Sequence, residues 1–472
     1  FQVKLIEPPC TERYARWCER SGNLVEFPSY SIDTLTRVSQ VPIILKKERG
    51  RFMTITTRLS NGLPVVLERM PYLKSVSFGV WVKVGSAYEN SRNNGIAHML
   101  EHMFFKGTTT RTARDLADIT SMIGGNVNAY TSKECTNFYA TTIDEYLPIA
   151  IDMISDMIQN SVFNTEELEK EKGVVLEEID MYDDSAEDMC HEMLQKEVWN
   201  HHPLGYLISG TKEIVRTFTR EQLMEFRNQY YTADNMIISI AGNYNEDTIL
   251  KQLELCFGTI PATATRPILT IPTYKKCIYK DEKDIEQMHI NIAFPSIANI
   301  DERRYELTVM NDILGESANC MLFQRIREDM GLTYSIYSYE SSFVTTGLFH
   351  IYAATNPEPA LTIYDEIFHI ISEVKGEGFS EKDIEETKKQ ICVNLTIASE
   401  STRNRMDSNA KHIMKYGKII PLNDVIERVN TITRENVNTL AKDILDETSC
   451  SIALVGNLDK KIVKGIEQRW KL

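Results

Sequence analysis

The sequence predicts an α+β protein of two homologous α/β domains, each a mostly antiparallel sheet flanked by helices, arranged as a clam shell. Three observations lead there. Strand-period and helix-period segments alternate along the chain. Matching segments recur at a fixed offset. The length of 472 residues exceeds one ordinary core and suits two.

The elements follow in order. Thr54 to Arg58, the turn Ser60-Asn61-Gly62, and Pro64 to Leu67 read as a hairpin. Val76, Phe78, Val80, Val82 and Val84 alternate and mark a strand with one face buried. A helix begins near Gly95, and another is opened by Thr112 as N-cap and closed by Gly124-Gly125. Residues 126–131 and 137–142 read as strands. Long helices then run over 146–159 and through 165–199.

The repeat fixes the architecture. Thr219-Arg220-Glu221 returns as Thr433-Arg434-Glu435, and Gly242-Asn243 as Gly456-Asn457, both at an offset of 214 (433 − 219, 456 − 242). Phe163 before an acidic helix start is echoed by Phe379. Pro, Thr and Ala accumulate near Pro261 to Pro272, the expected join. The implied division is 53–262 for the first domain, 263–275 for a linker and 276–472 for the second. Residues 1–52 have no clear period and carry no pattern of a secretory signal. Two readings fit them: an upstream segment foreign to the native protein, which then starts at Met53, or a loosely packed native arm. Sequencing the native N-terminus separates the two.

Composition narrows the function. Lys plus Arg is 52 against 67 for Asp plus Glu, a net charge of -15. A polyanion would be repelled, which speaks against nucleic acid and admits a cationic or extended peptide. No apolar run is long enough to span a membrane. Nine cysteines without C-x-x-C pairs suit free thiols in a reducing compartment.

His98-Met99-Leu100-Glu101-His102 carries the chemistry. On a helix, residues four apart share a face, so both imidazoles can meet one Zn²⁺. Glu101 is placed to reach a water there without ligating. The order is the reverse of H-E-x-x-H and is a known zinc-peptidase signature. Two histidines leave a third ligand to be found, often a carboxylate. The acidic helix over 169–184 is the best source; Glu171 and Glu178 share a face, while Glu177 points about 100° away. A solvated acidic helix is the plainer reading of that run alone.

At these residues the chain resembles the pitrilysin/insulinase family of metallopeptidases, closest to the bacterial processing-type peptidases and the mitochondrial processing peptidase β subunit. The resemblance runs from about Met53 to the C-terminus. It is carried by Gly85-Ser86-Ala87-Tyr88-Glu89, Asn94 through Met103, Phe105-Lys106-Gly107-Thr108, Asn128-Ala129-Tyr130-Thr131-Ser132-Lys133-Glu134 and His202-Pro203-Leu204-Gly205. It implies a zinc endopeptidase with one Zn²⁺ per chain, held by His98, His102 and Glu178, with Glu101 as general base. It assigns Glu171 as an additional acid on the same helix, and the edge strand Asn128, Ala129, Tyr130 and Thr131 as the holder of substrate. Arg327 and Tyr334 match a pair that reaches the substrate from the second domain. Asp188 and Glu192, at helical spacing beyond Glu178, match acids that meet a basic residue near the cut. The second domain is implied to be inactive, since Asp312, Gly315 and Glu316 stand at the offset positions of His98, Glu101 and His102.

The resemblance further implies a peptide partner, possibly basic, and a homodimer or a heterodimer with a related subunit. A non-catalytic subunit of a processing peptidase or respiratory-complex core is one alternative, disfavoured by the intact histidine/glutamate set; a catalytic subunit that works only with a metal-less partner is another. The expected compartment is the bacterial cytoplasm, with the mitochondrial matrix as the alternative.

Overall fold

A computed structural model describes residues 54–124, 126–262 and 269–471. The readings for residues 1–52, for Met53 and Gly125, and for linker residues 263–268 lie outside the described residues.

The first lobe is a six-stranded sheet. Its strands are β1 (Thr54–Arg58), β2 (Pro64–Arg69), β3 (Ser75–Val82), β4 (Asn126–Thr131), β5 (Thr136–Ile143) and β6 (Met236–Gly242). Their spatial order is β1-β2-β6-β3-β5-β4. All pairings are antiparallel except β2 with β6. The second lobe repeats this plan, without a counterpart of β1 among the described residues. Its strands β7 (Ile278–Glu282), β8 (Met288–Ser296), β9 (Ser335–Ser342), β10 (Gly347–Thr355) and β11 (Ser451–Gly456) lie in the order β7-β11-β8-β10-β9. The parallel pair is again the late strand with the first, β11 with β7.

Helices cover the sheets. Those that matter for the site are α1 (Ile96–Phe104), α2 (Ala113–Met122), α3 (Leu147–Asn160), α4 (Thr165–Asp184) and α5 (Ala186–Val198). In the second lobe they are α6 (Arg304–Asn311), α7 (Pro357–Gly376), α8 (Glu381–Ala398) and α9 (Thr402–Tyr416). Thr112 caps α2 in a full capping box with Asp115.

The repeat seen in the sequence is a repeat in space. Thr219 and Thr433 each open a helix with a capping box. Lys172 bonds Glu169 and the carbonyl of Arg216; Lys388, 216 residues on, bonds Glu385 and the carbonyl of Ile432. Gly242 and Gly456 end the equivalent strands with φ of 131° and 109°. A Cβ there would lie 2.5 Å from the Val76 Cα or 2.3 Å from the Gln287 carbonyl oxygen, so both positions need glycine.

Two expectations are corrected. The segment 165–199 is two helices, because Ser185 leaves the helical conformation and its hydroxyl caps α5. The alternating strand β3 has both faces buried, with only Ser75 partly open. Its second face is covered by α9 of the other lobe. Ser77 bonds Thr402, Ser239 bonds the carbonyl of Met406, and Trp81 packs in one cluster with Met406 and Ala410. In exchange, α5 of the first lobe lies on β8 and β11, with Cys190, Leu194 and Val198 against Ala293, Ala453 and Val455. Alternation marks which residues share a face. It does not say that the opposite face meets water, and here a helix arriving from 320 residues later (402 − 82) covers it.

The exchange is fastened by charge. Glu68, fully buried on β2, receives the Arg405 guanidinium through Nε at 2.9 Å and Nη2 at 2.9 Å, and Asn409 Nδ2 at 2.6 Å.

Candidate active site

Helix α1 lies under the sheet of the first lobe with Ala97, Met99, Leu100 and Met103 in the core. That apolar stripe turns His98, Glu101 and His102 towards α4. Its first turn is pinned from outside the helix. Glu89, 4% exposed, accepts from the backbone N–H of Gly95 at 2.7 Å, of Ala97 at 2.8 Å, and from Asn94 Nδ2 at 2.9 Å. Gly95 is left-handed at φ 95°, and a Cβ there would meet the Ser209 carbonyl oxygen at 2.6 Å.

Helix α4, capped by Asn164, brings the carboxylates. His98 Nε2 and His102 Nε2 are 3.2 Å apart, and each is 3.6 Å from Glu178 Oε2. His98, His102 and Glu178 are the group among the described residues whose ligand atoms converge on one point. Ligand atoms about 2.1 Å from a tetrahedral zinc stand about 3.4 Å from one another, so the three separations fit that ion without rearrangement. Glu171 does not join them. Its Oε1 takes the other nitrogen of His102, Nδ1, at 2.9 Å, and its Oε2 takes Lys106 Nζ at 2.6 Å. A proton held on Nδ1 leaves Nε2 free to ligate.

Charge balance agrees with that division. Burial pushes the His98 imidazole well below its usual range, with His102 adding to the effect, so it is neutral and ready to ligate. Burial also pulls His102 down, but the bond to Glu171 and the nearby carboxylates outweigh it and raise it. Burial raises the Glu178 carboxyl. Burial lifts Glu101 to about 7, against the opposing charge of His102 and the Thr131 hydroxyl. A divalent cation beside these groups would favour their ligating forms.

The rest of the expected set is spread more widely. On β4, the outermost strand of its sheet, Ala129 and Thr131 face inward, Tyr130 packs towards Trp81 and Cys135, and Asn128 accepts from the Ala129 N–H. The backbone edge of β4, rather than these side chains, is what faces outward. The break at Ser185 removes the helical spacing that tied Asp188 and Glu192 to Glu178. Both still line a cavity between the lobes, together with Ile179, Asp183 and, from β9, Tyr339 and Ser341. Glu192 is 3.4 Å from Lys133 Nζ. Arg327 lies over the Phe323 ring at 4.5 Å and beside Glu328 at 3.7 Å, and Tyr334 is 86% exposed ahead of β9. Among the described residues no contact joins either of them to the histidine cluster.

Sequence reasoning missed Glu89, Lys106 and the tie from Thr131 to Glu101. Each stood inside a quoted motif, but no spacing rule links it to the helix it holds. In the second lobe, Gly315 stands at the offset position of Glu101, and a Cβ there would lie 2.4 Å from the Ser338 N. A side chain at that position has no room.

Residues 64–212 match the family model for insulinase, peptidase family M16, and residues 217–391 match the model for the M16 inactive domain. The chain is 40% identical over 387 residues to the uncharacterized zinc protease YmxG of Bacillus subtilis, covering 82% of this chain and 94% of that one. It is 31% identical over 433 residues to an uncharacterized zinc protease of Streptomyces coelicolor, covering 90% and 94%. In fold it matches the crystal structure of a protease from Helicobacter pylori at TM-score 0.80 and 20% identity, covering 86% of this chain and 99% of that one. The M16 inactive domain structure from Pseudomonas fluorescens matches at 0.80 and 18%, with 86% and 98% covered. The chain belongs to peptidase family M16, the insulinase family. Its curated relatives named here are bacterial, and no described helix is long and apolar enough to cross a membrane. The seven described cysteines are free.

Proposed function

We propose that this protein is a zinc-dependent endopeptidase that cleaves extended peptides or presequence-like segments, acting in the bacterial cytoplasm. The observation that carries the reading is the convergence of His98, His102 and Glu178 at 3.2–3.6 Å, with Glu101 on the same helix turn. His98, His102 and Glu178 would hold one Zn²⁺. When bound, that ion would supply Lewis acidity and lower the pKa of a water towards neutrality. Glu101 takes the proton of the attacking water and delivers it to the leaving amine. Glu171 keeps His102 in the tautomer that presents Nε2. The outward edge of β4 pairs with the substrate backbone, which demands an extended chain but little sequence. Tyr334, being exposed, is available to a substrate carbonyl, and Arg327 to a backbone or carboxylate oxygen.

The test is a peptide library with and without chelator. Cleavage is expected to vanish on chelation and to return with added zinc; cleavage indifferent to both would defeat the proposal.

The acidic cavity supports a finer reading, a preference for Arg or Lys upstream of the cut. Asp183, Asp188 and Glu192 line one wall, Asp183 beside Lys212 at 3.1 Å and Glu192 beside Lys133 at 3.4 Å, and a guanidinium or ammonium would be drawn to that wall in competition with those lysines. Asp188→Lys is expected to lower kcat/KM for basic peptides by about tenfold or more and leave neutral ones little changed. Equal effects on both would remove Asp188 from that role.

A further inference from the structure

Thr131 is the last residue of β4, and its hydroxyl donates to Glu101 Oε2 at 2.5 Å. The bond ties a helix to a strand, and Thr131 is 5% exposed, so little water competes for it. A buried hydroxyl usually has some partner; the question is whether this one serves the carboxylate or merely the strand.

The second lobe supplies an internal control. Val76 faces Gly242 as Met288 faces Gly456, which sets β3 against β8. Two steps across each sheet, Val80 faces Phe138 and Phe138 faces Ala129, as Ile292 faces Ile351 and Ile351 faces Ser338. Ala129 therefore corresponds to Ser338, and Thr131, two residues on, to Glu340. That lobe, whose residues match the inactive-domain model, carries no threonine at this position.

We propose that Thr131 is a positioning residue that aims Glu101, and that a peptide paired along β4 improves that aim. The inference rests on the reading of Glu101 as general base. A glutamate side chain has free torsions, and the hydroxyl bond fixes its last one. β4 is outermost in its sheet, so one side of it is held by β5 alone. A substrate strand added to the other side removes the remaining freedom of the residue that holds the base. Binding energy from parts of the peptide remote from the cut then appears in kcat rather than in KM.

The experiment compares a long peptide able to span β4 with the same cleavage sequence trimmed too short to do so. In the native protein the long peptide is expected to have a kcat about tenfold higher. Thr131→Val, near the same shape without the hydroxyl, is expected to lose about tenfold in kcat on the long peptide, with KM within twofold, and to abolish the difference between the two lengths. Thr131→Ser restores both. Zinc content and melting temperature check that each variant is folded, and Thr131→Ala carries the same expectation should the valine variant fail that check. A kcat within twofold of native, a loss confined to KM, or an equal loss on both peptides overturns the inference. Glu101→Gln, assayed alongside, separates the two claims: if it stays active the general-base reading is what fails.

Discussion

Replacing Glu101 by glutamine is expected to lower kcat by about 10²–10⁴-fold while zinc content, fold and KM stay near native. The amide keeps the shape of the carboxylate, and its oxygen still accepts from the Thr131 hydroxyl. It does not take a proton. The three atoms that would hold the ion belong to His98, His102 and Glu178, so the metal has no reason to leave. Measuring kcat together with bound zinc separates this loss from the loss a ligand substitution gives, where metal and activity fall together. A variant that holds zinc and turns over at the native rate would strip Glu101 of its assigned role.

The second large effect concerns the junction of the lobes. Arg405→Met is expected to destabilise the protein by about 3–5 kcal/mol, because it leaves the Glu68 carboxylate buried against a neutral amide, that of Asn409. Glu68→Met with Arg405→Met should recover most of that loss, since two apolar side chains of similar length replace two charges that had to be stripped of water. Urea denaturation of the single and double variants measures both. A single variant within about 1 kcal/mol of native would mean that α9 is held by its apolar contacts alone.

Much of the site was legible because it is local. Helical spacing alone places His98 and His102 on one face, and the shared face of Glu171 and Glu178 on an acidic helix offered the right carboxylates. What spacing could not do was assign their roles. Glu178 converges with the histidines and Glu171 turns to His102 Nδ1, a difference of position across 69 residues that only packing decides. The strands and the repeat were legible for the same local reason, since alternation, capping threonines and strand-ending glycines are set within a few residues. The failures were long-range. Nothing in Val76 to Val84 announces that α9 will cover their second face; the break at Ser185, by contrast, is a local cap reaching three residues on, masked in the sequence by the helix formers that flank it. Glu89 is the instructive omission: it stands outside the helix it fastens, so no periodicity includes it.

The order of strands carries a consequence for how the protein comes into being on the ribosome. β6 lies between β2 and β3, yet it is made 154 residues after β3 ends (236 − 82). A nascent chain that already contains His98, His102 and Glu178 therefore still lacks the strand that joins the two parts of its sheet. Capture of the ion is expected to wait for that insertion, and a translation product halted before Met236 would own all three ligands without a scaffold to present them.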